Sequence, residues 1–166
     1  MWVKIETGVT FNSENEMSGY KKIAVAIDLS SESAVIISRA LDVAAPESEI
    51  HLVYVQEPMD SVYMGVVPYG PVFVGMDEVE ENLRSELRQK LDDIGAKAGV
   101  PEPYRHFLNG TPAREIRRFA EEHELDLIVL GTHGQKGVQL LLGATANSVL
   151  HGSMCDVLAV RVYDAE

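Results

Sequence analysis

The chain has 166 residues, 46% of them hydrophobic, enough for one domain with a substantial core and against disorder over most of its length. Its net charge of −12 excludes a surface built to neutralise nucleic acid or an anionic membrane, because both require clustered Lys and Arg. The single cysteine, Cys155, excludes an internal disulfide and a cysteine-based zinc site; next to a strand-like apolar run it reads as a buried, inert thiol.

No apolar stretch is long enough to span a bilayer, and the N-terminus lacks the basic-then-apolar order of a secretion signal, so the expected location is cytoplasmic. Residues 1–18 differ from the rest. Trp2, Ile5, Val9 and Phe11 flank Thr7-Gly8 in the pattern of a small hairpin, and 12–16 read as a linker. The expected division is an appendage over 1–18 and one α/β domain over 19–166.

The domain opens with the run Ile23-Ala24-Val25-Ala26-Ile27, apolar on both faces as a buried parallel strand is, and it ends at Asp28-Leu29-Ser30-Ser31. Ser30 or Ser31 is placed to cap a helix whose apolar positions are Ala34, Ile37, Ala40, Leu41 and Ala44, broken at Pro46. A second strand covers Ile50–Val55. Residues 56–76 form a long, unusually apolar loop, readable either as a lid or interaction segment or as packing over the sheet edge. Val79, Leu83, Leu87, Leu91, Ile94 and Ala98 then mark an amphipathic helix closed by Gly99.

A short third strand is expected over Tyr104–Leu108. A helix follows from Thr111-Pro112, in the favoured order of cap and then proline. The fourth strand is Asp126–Leu130, the next helix Ala144–Leu150 and the fifth strand Val157–Val162. Strands alternating with helices predict a doubly wound five-stranded parallel sheet, strand order 3-2-1-4-5, with helices on both faces. That order makes the first and fourth strands neighbours. It gathers Asp28, the loop Gly131-Thr132-His133-Gly134 and the turn at Gly143 around one crevice. The fifth strand becomes an apolar edge, which predicts a homodimer formed through that strand.

Each candidate has two readings. Asp28 either meets a ribose hydroxyl or orients the loop beside it, or else caps the first helix, since an Asp there serves local turn chemistry. The glycines of 131–134 either admit a phosphate or ribose to the backbone, with Lys136 adding charge, or shape an ordinary strand-to-helix loop. His133 stands near no nucleophile elbow or positioned acid and reads as a loop histidine bonded to backbone. His51, His106, His123 and His151 show no metal-ligand spacing, so no metal site and no catalytic residues are expected. The acidic runs at 77–81 and 121–122 read as solvated helix faces. A dinucleotide fingerprint and a Walker-type Gly-Lys-Ser/Thr are both absent from the sequence.

Taken together, Tyr20 to Ser30, Val53-Tyr54-Val55, Asp126 to Gly134, Leu141 to Leu150 and Cys155 to Val160 resemble a universal stress protein over about residues 20–163. The resemblance implies a homodimer and, in many members, bound ATP with magnesium only as its companion. It implies a ligand set of Ala26, Ile27, Asp28, Val55, Leu130, Gly131, His133, Gly134, Gly143, Ala144 and Thr145. ATP-binding members carry Gly-x-x-Gly, nine residues, then Gly-Ser/Thr. Here eight residues separate Gly134 from Gly143, Ala144 stands where the hydroxyl is found, and Thr145 follows. The short spacer is similar to the A-type branch, whose founding member does not bind ATP, although Gly131, Gly134 and Gly143 are kept. Three functions therefore follow from the resemblance: a non-catalytic dimer that senses an adenine nucleotide, a nucleotide-free stress protein acting through protein contacts at 56–76, or a weak ATPase with no evident general base.

Overall fold

The structure, a computed structural model, describes residues 2–4, 10–12, 19–58, 76–132 and 143–162. Strands β1 (Trp2–Lys4) and β2 (Thr10–Asn12) pair antiparallel, with Val3 opposite Phe11, while the turn expected at Thr7-Gly8 lies outside the described residues. The remaining elements are β3 (Tyr20–Ala26), α1 (Ser33–Val43), β4 (Ala44–Gln56), α2 (Met76–Lys97), β5 (Arg105–Asn109), α3 (Pro112–Glu122), β6 (Leu127–Gly131), α4 (Ala144–Gly152) and β7 (Asp156–Val160). The five later strands form one parallel sheet in the order β5-β4-β3-β6-β7, the expected 3-2-1-4-5.

Alternation along the central strands divides the core between the two faces. Ile23 and Val25 of β3 point with Leu127 and Val129 of β6 toward Ile36, Ile37 and Ala40 of α1 and Leu91 of α2. Ala24 and Ala26 point with Ile128 and Leu130 toward Ile116 and Phe119 of α3 and Ala146 and Val149 of α4. Ile23, Leu52, Leu127 and Ile128 are fully buried; burying each such side chain contributes about 1.5–3 kcal/mol relative to exposure. Helices thus cover both faces, as the sequence pattern predicts.

Several boundaries move. The second strand of the domain begins at Ala44, not Ile50: Tyr20 pairs with Ala44, the register shifts, and Lys22 pairs with Glu49. Pro46–Ser48 is therefore an excursion within β4, where Pro46 has no N–H to donate and Glu47 turns through φ 66°. Gly19 lies against it so closely that a Cβ there would sit 2.5 Å from the Val43 carbonyl oxygen. Residues 102–104 make a 3₁₀ turn, so β5 starts at Arg105 and includes Asn109, paired with Gln56. The last strand runs from Asp156 to Val160, beginning one residue earlier and ending two residues earlier than its apolar run suggests. Val79, expected on the apolar face of α2, is 59% exposed, whereas Gly99 ends that helix as expected, with φ 74° and the Val100 N–H donating to the Gly95 carbonyl. Thr111 is the cap of α3 with Pro112 first in the helix, but its hydroxyl makes no capping bond.

Candidate functional site

β3 and β6 are direct neighbours, with Ala26 opposite Leu130, so their carboxyl ends lie side by side at the point where the strand order reverses, which is where open α/β sheets bind ligands. Asp28 stands two residues beyond the end of β3. Its Oδ1 accepts the Ser30 N–H at 3.0 Å, and the Ser30 hydroxyl oxygen accepts the Glu32 N–H at 3.3 Å. Asp28 thus serves the turn ahead of α1 and is not the cap of that helix. The expected capping is corrected: Glu32 is the cap residue of α1 and makes no side-chain capping bond, while Ser30 serves the turn before it. Between them Leu29 adopts φ 60°, a left-handed conformation that a leucine adopts only when held, and its side chain is held in the core under α1.

At the other tip, Gly131 pairs with Val160 of β7. The Thr132 N–H donates to the Val160 carbonyl at 2.8 Å, and the Thr132 carbonyl accepts the Gly143 N–H, also at 2.8 Å. These two bonds bring the start of α4 back to the end of β6. Gly143 is the cap residue, its carbonyl accepting from Asn147, and the N–H groups of Ala144, Thr145 and Ala146 lie in the first turn, where no intrahelical acceptor exists. The Gly143–Thr145 turn is thereby tied to the Gly131 tip of β6, which lies beside the end of β3 that Asp28 follows.

Of the residues singled out in the sequence, Ala26, Ile27 and Asp28 share the β3 tip, and Leu130 and Gly131 the adjacent β6 tip. Gly143, Ala144 and Thr145 are tied to that tip through Thr132. Ala26, Ile27 and Leu130 are buried, their side chains committed to the core, so only their main chain is left at the strand tips. Val55, two residues beyond the Val53 that pairs with Ala26, lies at the adjoining end of β4. His133, Gly134, Lys136 and most of the 56–76 loop lie outside the described residues. Thr132 was not singled out; its part is played by main-chain atoms, which leave no signature in a side-chain motif. Tyr54, beside this end of β4, has its hydroxyl pKa raised by burial and then by the Asp28 and Glu57 charges. A cavity of about 400 Å³ begins nearby at Ser30 but runs away from the tips, between Ala34, Ile37 and Leu41 of α1 and Ile94 at the end of α2.

Elsewhere, Cys155 is part-buried and burial pushes its thiol pKa up, which disfavours the reactive thiolate. Glu78, Glu80, Glu81, Glu121 and Glu122 are exposed, as expected of solvated helix faces. Among the described residues no three His, Cys, Asp or Glu side chains are arranged to hold a metal ion, and no helix is long and apolar enough to cross a membrane. The histidines treated singly in the sequence are not scattered: His51, His106 and His123 pack together with Phe119. Each of the first two occupies an inward position on neighbouring strands, a signal available once the strand order is drawn.

The family model described as "Universal stress protein family" matches residues 19–161. Universal stress protein A homolog 1 of Coxiella burnetii is 39% identical over 142 residues, covering 85% of this chain and 96% of that protein. Among solved structures, a protein from the universal stress protein family of Burkholderia pseudomallei superposes with TM-score 0.59 at 26% identity, covering 88% of this chain and 98% of that one. A universal stress protein in complex with cAMP superposes with TM-score 0.56 at 23% identity, covering 86% and 98% respectively.

Proposed function

We propose a function from one premise: the chain belongs to the universal stress protein family. Its role is that of a non-catalytic stress-response protein whose crevice takes an adenine nucleotide as a regulatory ligand. The observation that carries this reading is the pair of bonds through Thr132, which hold the Gly143–Thr145 turn against the Gly131 tip, across from Asp28. The N–H groups of the α4 first turn, which have no acceptor within the helix, are suited to a phosphate, and the Asp28 carboxylate to ribose hydroxyls. Val55 closes the side where a base would lie. Thr145 supplies the hydroxyl that Ala144 lacks. A family structure solved with cAMP supports the adenine-nucleotide class; ATP, with magnesium only as its companion, is the form proposed here.

A hydrogen bond to a charged phosphate contributes about 1.5–3 kcal/mol, so Thr145→Val is expected to weaken ATP binding about tenfold at an unchanged melting temperature. The direct test is calorimetric titration with ATP and with cAMP, together with mass spectrometry of whatever small molecule leaves the protein on denaturation. A co-purified adenine nucleotide or a saturable heat supports the reading. No heat at millimolar nucleotide and an empty spectrum contradict it. The homodimer belongs to the same proposal: β7 is an edge with Val157, Leu158 and Ala159 part-exposed, and pairing with β7 of a second copy covers that edge in each copy. Light scattering is expected to give the mass of two chains; one chain at all concentrations contradicts it.

A further inference from the structure

On the face that carries α3 and α4, His51 of β4 and His106 of β5 meet across the strand pair. His51 Nδ1 and His106 Nε2 are 3.0 Å apart, so one neutral ring donates its N–H to the other. The rings stack at 5.2 Å and 27°. Phe119 of α3 packs on both, at 4.5 Å from His106 and 5.6 Å from His51. His51 is 7% exposed. The titratable groups facing the pair come from every element around it: Glu49 on β4, whose carboxylate lies 3.9 Å from His51 Nε2; Lys22 on β3; Tyr104 in the turn before β5; and His123 at the end of α3.

The bond between the rings needs one facing nitrogen without a hydrogen. Whichever ring donates, protonating both places a hydrogen on each facing nitrogen and puts two positive charges side by side in a half-buried site. Glu49 can balance a charge on His51 alone. We propose that this corner is an acid-sensitive latch, in which protonation of both His51 and His106 breaks the ring-to-ring bond and releases the edge strand β5 and the C-terminal turn of α3 from β4, uncovering Phe119.

The titration behaviour agrees. Burial first, and then the neighbouring histidine charges, lower His106 to about 4, and burial and His123 lower His51 against the opposing pull of Glu49. In the open state these rings return toward 6.5, so the open form binds more protons between about pH 6.5 and 4. The latch is at full strength above that window and is lost as pH falls through it. Each titrating ring raises the opening constant by up to about tenfold per pH unit. The latch does not depend on the nucleotide reading.

The experiment is hydrogen exchange by mass spectrometry on the full chain from pH 7.5 to 4.5, corrected for intrinsic rates. Expected is a tenfold or greater loss of protection in peptides covering 105–109 and 117–123, while 23–27 and 127–131 stay protected. His106→Gln, which cannot titrate, is expected to flatten that dependence. Should that variant not fold, imidazole ¹⁵N NMR of the unaltered protein decides: both rings are expected to titrate below 6.5, with one shared N–H. Uniform loss of protection, an unchanged pH profile in His106→Gln, rings titrating near 6.5, or a Zn²⁺ complex of the three histidines at micromolar metal would each overturn the proposal.

Discussion

The site at the strand tips and the histidine corner are built from opposite materials. The strand-tip site is main chain: glycines, a two-bond clasp through Thr132, and the first-turn N–H groups of a helix start. The corner is side chain: three imidazoles and a phenyl ring held at distances of 4.1–5.9 Å. The first arrangement suits an anion brought from solution and is little affected by pH. The second derives its hydrogen bond from neutral rings, so protons are its natural input. On the two proposals, one fold carries two sites that answer to different signals.

The comparison breaks most sharply at Phe119, 4% exposed and packed on His106 and His123. Phe119→Ala is expected to cost about 3–5 kcal/mol in chemical unfolding, because a buried ring leaves a cavity. If the corner were a loose surface cluster, the loss would be under a third of that. Next, Gly131→Val places a branched side chain at the β6 tip and is expected to reduce ATP affinity by more than tenfold in titration, with the pH dependence of the corner unaltered. An equal fall in both would show that the two sites are not separate. Asp28→Ala removes the acceptor of the Ser30 N–H and is expected to lower stability by about 1 kcal/mol, as loss of a turn-capping oxygen does. Smallest is Arg118→Ala. Its contacts to Glu115 and Glu122 at 2.7 and 3.1 Å are exposed, lie outside both sites, and are expected to leave the melting temperature unchanged.

The difference in materials also explains what could be read in advance. The sheet order was legible because Ile23–Ile27 and Leu127–Leu130 are apolar on both faces, which only central parallel strands require. Asp28 and Gly131 were legible as tip residues for the same reason. The start of β4 was not: Pro46 reads as a break, and only the pairing of Tyr20 with Ala44 shows that the strand passes through it. Leu29 was likewise invisible, since nothing in a leucine announces φ 60°; the position is imposed by its burial and by the Asp28 turn. Histidine spacing suggested nothing because His51, His106 and His123 are far apart in sequence. They meet through strand pairing and the length of α3, a tertiary fact.

The central claim, that the strand-tip crevice is the nucleotide site and is separate from the histidine corner, is tested most directly by amide chemical-shift mapping during an ATP titration at neutral pH. The account predicts shifts at Asp28, Gly131, Thr132 and Gly143–Thr145, with His51, His106 and Phe119 unmoved. Shifts confined to the histidine corner, or none at saturating ATP, would contradict it.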